Sequence, residues 1–271
     1  MSGRTSRREG RDRTAGGSQI RELITRTVRS VVADAHTATA YRSPLVGFAA
    51  ADDPAFADLK RLVGPEHGLP ADLLPGAASV VSFFVPFAAE VVEANRVRKG
   101  RVAREWAVAY LETNDLIGTV CEKLDEELRG KGFASASAPA TGSFDRETLA
   151  CGWSHKSVAV IAGLGRFGLH HMVITEAGCA GRFGSLVTDA PLKPSHRSLR
   201  ELCVNESGGT CKECASRCPV GALDGAGNLN RELCWARCKA VARRLDELGL
   251  AEVCGKCAVG PCSMGPPSSE E

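Results

Sequence analysis

Apolar residues recur at helical spacing at Ile20, Leu23, Ile24, Val28, Val31 and Val32, which predicts a helix with one buried face, and Ser18 can cap its start. Pro44-Leu-Val-Gly-Phe48 reads as a short extended piece, and a helix is expected around Pro54 to Val63. Turn chemistry at Leu69-Pro70 and Leu74-Pro75-Gly76 leads into the run Ala78-Ser-Val-Val-Ser-Phe-Phe-Val-Pro-Phe87. That run is rich in β-branched and aromatic residues, and predicts a strand buried on both faces and ended by Pro86. From Glu105 to Arg129 the period returns to that of a helix, with Trp106, Tyr110, Ile117, Val120, Cys121, Leu124 and Leu128 on or near one face. Gly130 and Gly132 end it, and Cys121 is expected in the core. Met172-Val-Ile-Thr175 and Phe183-Gly-Ser-Leu-Val-Thr188 read as short strands separated by Gly178 and Gly181. Pro191, Pro194 and Ser195 mark a boundary, and residues 229–248 are mostly helical beyond it.

Composition adds limits to this pattern. The chain has 271 residues, 44% hydrophobic and 24% charged, with a net charge of +2, enough for a sizeable core and either two domains or one with a small appendage. No apolar run approaches a membrane span. Arg4, Arg7, Arg8, Arg11 and Arg13 lie in a polar segment without an apolar stretch behind them, so residues 1–17 are expected as a disordered basic tail rather than a secretory signal. Arg96, Arg98, Lys99, Arg101 and Arg104 form the densest basic patch elsewhere, read either as a solvated helix start or as a contact for phosphates.

Cysteine changes the picture most. Of twelve cysteines, nine fall between Cys203 and Cys262, around the motif Cys211-Lys-Glu-Cys214-Ala-Ser-Arg-Cys218-Pro219. Cysteines at spacings of two and three, the last followed by proline, are how a chain wraps a four-iron, four-sulfur cluster, and in two-cluster proteins that last cysteine serves the other cluster. Two interleaved sets follow: Cys203, Cys211, Cys214 and Cys262 for one cluster, and Cys218, Cys234, Cys254 and Cys257 for the other. Cys238, one helical turn after Cys234, can replace it. Two C-x2-C pairs also suit zinc sites. The spacing favours metal ligation over disulfides, and with no export signal the expected compartment is the reducing cytosol.

Gly163-Leu-Gly165-Arg-Phe-Gly168 satisfies G-x-G-x-x-G behind an apolar stretch, making Gly163, Gly165 and Gly168 candidates for cofactor binding. Residues 154–162 can equally form a helix that ends at glycine, and little chain follows to complete a doubly wound sheet.

Ala162-Gly-Leu-Gly165 with Gly168, the strand pair ending in Val187-Thr188-Asp189, Cys218-Pro219 within the double-cluster segment, and Leu74-Pro75-Gly76 before Val80-Val-Ser-Phe-Phe-Val-Pro86 together resemble the epoxyqueuosine reductase family. The resemblance implies an α+β protein: an N-terminal α/β domain of nitroreductase-like or cobalamin-domain-like kind over residues 18–200, a ferredoxin-like double-cluster domain over 201–264, and a tail at 265–271. It implies two 4Fe-4S clusters and cobalamin, a relation to reductive dehalogenases, and the modified base of a tRNA as substrate. The family's Trp-x-Gly-Lys-Asn is here Arg166-Phe-Gly168-Leu-His170, its Glu-Arg falls on His155-Lys156, and no counterpart of its C-terminal helical repeats, which help hold tRNA, is expected.

The leading expectation is a redox enzyme fed by a partner protein as electron donor. Asp145 or His155 would supply the proton that a reduction needs. Of the adjacent His170 and His171, at most one would line the site, since on a strand they point to opposite faces. The alternative is a ferredoxin-like carrier, or an activator of a corrinoid protein, without a substrate of its own.

Overall fold

The computed structural model describes residues 5–139 and 144–267. Helix α1 (Thr5–Ala33) precedes strand β1 (Leu45–Ala50), short helices α2 (Ala55–Leu62) and α3 (Pro70–Leu73), and strand β2 (Ser79–Pro86). Helices α4 (Ala89–Val97) and α5 (Arg104–Arg129) follow, then β3 (Ser135–Ser137), α6 (His155–Ile161), β4 (Gly165–Phe167), β5 (Val173–Thr175) and β6 (Gly181–Thr188). The cysteine-rich lobe contains the single turn α7 (Glu213–Ser216) and helix α8 (Arg231–Arg244). The helix expected from Ser18 therefore starts at Thr5, inside the stretch expected as tail.

Four strands make one antiparallel sheet in the order β1-β2-β6-β3. β2 is its centre because all eight of its residues are buried. Val81, Phe83 and Val85 face α1 and α5, where they meet Ile24, Val28, Ile117 and Leu124. Val80 and Phe84 face the other way, toward α2, α6 and β6. Apolar residues on both parities of a period-two strand are what a sheet covered by helices on both faces requires. Each fully buried Phe or Val contributes about 1.5–3 kcal/mol on transfer from water, so β2 is the most heavily anchored element. The buried hydroxyl of Ser79 is satisfied: it donates to Ala190 O and accepts from Leu192 N, both at 2.8 Å.

A further core joins the sheet to the lobe. Phe87, Val92 and Trp106 pack with Ile174, Val241 and Ala258, so α4 and α5 touch the cysteine segment directly. Polar ties reinforce this contact. Asn95 Nδ2 donates to Cys254 O at 3.1 Å, and its Oδ1 accepts from Ala103 N at 3.1 Å. The buried Lys256 ammonium donates to the carbonyls of Asn95 and Arg98. Arg96 of the basic patch sits in the last turn of α4 and reaches Val259 O at 2.9 Å and Ser263 Oγ at 2.9 Å. The rest of the patch lies on the exposed loop between α4 and α5 and the start of α5, rather than at one helix start.

Candidate metal centre

The cysteines arrive from different kinds of local structure. Cys203 opens a tight turn closed by Ser207 N on its carbonyl at 3.0 Å, and Cys214 lies in α7. Asn230 caps α8, its side chain accepting from Leu233 N at 3.0 Å. That start sets Cys234 and Cys238 one turn apart on one helix face. The Cys218 sulfur accepts from Ala222 N at 3.2 Å, across the turn that Pro219 fixes. Cys254, Cys257 and Cys262 lie in the closing segment of short 3-10 turns.

A pocket in the lobe is lined by Cys203, Cys211, Cys214 and Cys262, with Leu169 and His170 at its wall. Burial pushes the Cys214 thiol up to about 11, and the nearby Cys262, Cys203 and Cys211 add to it. Burial likewise pushes Cys257 up to about 12, with further contributions from Cys254, Cys234, Cys214 and Cys218. Cys203, Cys211, Cys214 and Cys262 thus share one pocket, while Cys254, Cys234, Cys214 and Cys218 lie near Cys257. Cys238 hydrogen-bonds Cys234, pushing that thiol down to about 7 while its own is raised. A hydrogen bond from Cys179 is the largest effect on Cys262, pushed down to about 5 although burial opposes it. Leu169, Leu223 and Leu229 pack against Cys203, Cys214, Cys218 and Cys257 as an apolar sheath. All twelve cysteines are free thiols. A crowded donor set of sulfur suits iron–sulfur or zinc over hard cations.

The glycine loop is built differently from a dinucleotide site. Residues 155–161 are helix α6, with the Ser154 hydroxyl accepting from Ser157 N, and the loop runs from helix to strand, the reverse of the strand-to-helix order that a pyrophosphate needs. Gly163 takes φ +78° just past the helix, as an αL cap. A Cβ at Gly163 would lie 2.6 Å from His196 O, at Gly165 2.0 Å from Ile174 O, and at Gly168 2.8 Å from Ile174 Cδ1. All three glycines press against the chain's own atoms.

The two expected proton donors are not brought together. Asp145 is exposed, and its Oδ1 accepts from Glu147 N at 2.7 Å and Thr148 N at 2.9 Å, bonds that hold its carboxyl below the usual range. Its loop leans on α8 through Phe144 against Trp235 at 5.0 Å between centroids, and on the segment beyond α8 through Arg146 paired with Glu252 at 3.4 Å. His155 is buried at the start of α6. Its Nε2 donates to Pro139 O at 3.3 Å, and its Nδ1 meets Ser185 Oγ at 2.8 Å. Burial pushes its pKa down to about 4, with the Arg182 charge helping, so the ring is neutral near pH 7. The surroundings of both residues disfavour an acid role. Of the two histidines, His170 lines the pocket while His171, at φ +58°, hydrogen-bonds Gly227 O at 2.8 Å.

Two contacts of Cys262 carry no sequence signal. Cys179 Sγ is 3.8 Å and His170 Nε2 is 3.3 Å from its sulfur. They come from a turn before β5 and the turn before β6, far outside the cysteine motif.

The fold and the sulfur groups define the class: a mixed α/β protein whose antiparallel sheet adjoins a cysteine-rich lobe. No family model matches the chain. It is 27% identical to epoxyqueuosine reductase of Bacillus subtilis over 187 residues, 65% of this chain and 42% of that protein. With epoxyqueuosine reductase of Listeria monocytogenes it shares 33% over 95 residues, 35% of this chain and 24% of that one. The chain thus matches less than half the length of these curated relatives. Among solved structures, a selenomethionine-labelled epoxyqueuosine reductase superposes with TM-score 0.63 at 21% identity, covering 93% of this chain and 70% of the other. An epoxyqueuosine reductase with an epoxyqueuosine-modified tRNA-Tyr stem loop gives 0.56 at 22%, covering 80% and 56%. A catabolic reductive dehalogenase in complex with 3-bromo-4-hydroxybenzoic acid gives 0.54 at 14%, covering 82% and 30%. In sequence and in fold the chain is epoxyqueuosine reductase-like.

Proposed function

We propose that the chain is an iron–sulfur reductase in which Cys203, Cys211, Cys214 and Cys262 hold one 4Fe-4S cluster and Cys218, Cys234, Cys254 and Cys257 hold a second. The observation that carries this reading is the pocket lined by four cysteines drawn from three separate turns, beside a second group of thiols. Such clusters would supply single-electron transfer toward a site, cobalamin by likeness to the family, in the N-terminal part of the chain. The protein's own share is to hold the thiolates, to exclude water with Leu169, Leu223 and Leu229, and to orient the sulfur atoms through backbone N–H groups such as that of Ala222. An epoxyqueuosine-modified tRNA stem loop is the first substrate to try. The exposed loop at Arg98, Lys99 and Arg101 offers phosphate contacts for it, and the solved relative with such a stem loop supports the choice.

A second reading, an electron carrier or corrinoid-protein activator, is favoured by one observation: neither Asp145 nor His155 is poised to release a proton near neutrality. The test is iron, zinc and cobalt analysis of protein purified without oxygen, with cobalamin supplied and the excess removed. About eight irons per chain, the content of two four-iron clusters, with retained cobalt and turnover of the stem loop supports the reductase. Iron without cobalt supports the carrier, and zinc in place of iron refutes both.

A further inference from the structure

We propose that His170 and Cys179 are hydrogen-bond donors to the sulfur of Cys262, and that they raise the reduction potential of the cluster held by Cys203, Cys211, Cys214 and Cys262. The inference rests on the double-cluster reading and deepens it by assigning side-chain donors to one ligand of the first cluster.

His170 Nε2, Cys179 Sγ and Cys262 Sγ all lie within 4.8 Å of one another, which by composition alone would be a small metal site. The hydrogen bonds argue otherwise. Met172 N–H donates to His170 Nδ1 at 3.2 Å, so that nitrogen offers its lone pair and the neutral ring carries its proton on Nε2. Nε2 is the atom 3.3 Å from the Cys262 sulfur. A protonated Nε2 has no lone pair for a metal, but it is a donor aimed at a sulfur. Cys179, only 1% exposed, has two acceptors within reach, Ala258 O at 3.6 Å and the Cys262 sulfur at 3.8 Å. The separation is fixed by the backbone: Cys179 N donates to Cys262 O at 3.0 Å, and Ala180 N to Ser263 O at 3.1 Å. The turn that enters β6 is therefore laced to the loop carrying the ligand. Gly168 makes room for the ring, since a Cβ there would stand 3.2 Å from His170 Cε1 and 3.4 Å from Cys203 Cβ.

Reduction adds negative charge to the cluster and its sulfur ligands. Donors aimed at one of those sulfurs stabilise the reduced state more than the oxidised one, and the potential rises. The second group of cysteines meets different donors, Cys238 at Cys234 and the Arg237 guanidinium at Cys254, so removing His170 or Cys179 acts on the first cluster alone. His170 and Cys179 are thus positioning residues for the electron rather than ligands.

The test is an EPR-monitored redox titration of the full chain with both clusters loaded. His170→Phe keeps a ring but removes the donor, and Cys179→Ala removes the thiol. Each should lower one midpoint, by about tenfold in the equilibrium constant, which is about 59 mV for one electron, and leave the other unmoved. His170→Gln and Cys179→Ser retain a donor and should stay near the wild-type value. Unchanged midpoints in both donor-free variants would overturn the inference alone, as would loss of one four-iron cluster from His170→Phe, which would make the histidine a ligand. An iron-free wild-type chain would overturn the double-cluster reading as well. One measurement needs no variant. Nitrogen hyperfine coupling to the reduced cluster in histidine-labelled protein should be weak, as through a hydrogen bond; strong coupling or none refutes the proposal.

Discussion

Lowering the pH tests the environment of His155. Its neutral tautomer is fully used: Nε2–H donates to Pro139 O, and Nδ1 accepts from the Ser185 hydroxyl, which itself accepts from Trp153 Nε1 at 2.9 Å. Protonation would place a charge in a buried site and turn the Nδ1 acceptor into a donor. The pKa falls from 6.5 to about 4 on folding, first through burial. Because the folded value is the lower, the unfolded chain binds more protons between the two. The stabilisation is complete above about pH 6.5 and is lost as pH falls toward about 4. The whole displacement is worth about 3 kcal/mol, of which about 2 kcal/mol is lost by pH 5. The assay is urea unfolding at pH 7.5 and pH 5 of wild type and His155→Gln, both loaded alike and kept free of oxygen. Glutamine keeps an amide donor for Pro139 without titrating, and acid sensitivity of the metal sites or of His67 cancels in the comparison. Wild type should lose about 2 kcal/mol more than the variant over that interval. Equal losses would refute the argument and reopen His155 as a proton donor.

Three further outcomes are expected. Arg42 donates to Phe87 O at 2.8 Å, Met264 O at 3.0 Å and Ala177 O at 2.7 Å. Arg42→Ala should cost about 2–4 kcal/mol in urea unfolding, since hydrogen bonds to charged groups carry about 1.5–3 kcal/mol each and this one is partly solvated; Arg42→Lys should recover little of it. Gly255 has φ +67°, and a Cβ there would sit 2.3 Å from the Trp106 ring. Gly255→Ala should therefore lower the melting temperature and loosen the adjacent Cys254 and Cys257, read as faster iron release to a chelator. Cys257→Ser should remove roughly half the iron, one four-iron cluster of two, whereas Cys121→Ser should leave iron content unchanged. Cys121 is buried against the sheet, with its sulfur 3.9 Å from Ser185 O.

What could be read from the sequence was what local chemistry dictates. The unbroken run at residues 79–86 announced a strand buried on both faces, because only a covered sheet tolerates apolar residues at both parities. The period over 104–129 announced α5 for the corresponding reason. Cysteine spacing marked out the cysteine-rich lobe, since cysteines two or three residues apart in one turn must lie near one another. Residues 154–162 were ambiguous because Ser-Val-Ala-Val-Ile suits either backbone. The Ser154 cap and the positive φ at Gly163 decide for helix, and with it goes the dinucleotide loop. Cys179 and His170 were out of reach for a different reason. They meet Cys262 across 83 and 92 residues of chain, through a turn whose position depends on the whole sheet. The basic stretch from Arg96 to Arg104 divides in a way composition does not show, as Arg96 turns inward to the lobe while its neighbours stay in solvent.

The core that joins Trp106 and Phe87 to Val241 and Ala258 bears on how such proteins can be taken apart. Cut at residue 201, the cysteine segment would present Leu202, Val241, Leu245 and Val259 to water and lose the carbonyl partners that Asn95, Arg96 and Lys256 provide or use. A graft of that segment onto another scaffold should aggregate, and the remaining sheet should expose the complementary apolar wall. Recombination would conserve the pair together, so exchange of the cysteine-rich segment between relatives should cross over within the loops ahead of α4 or not at all.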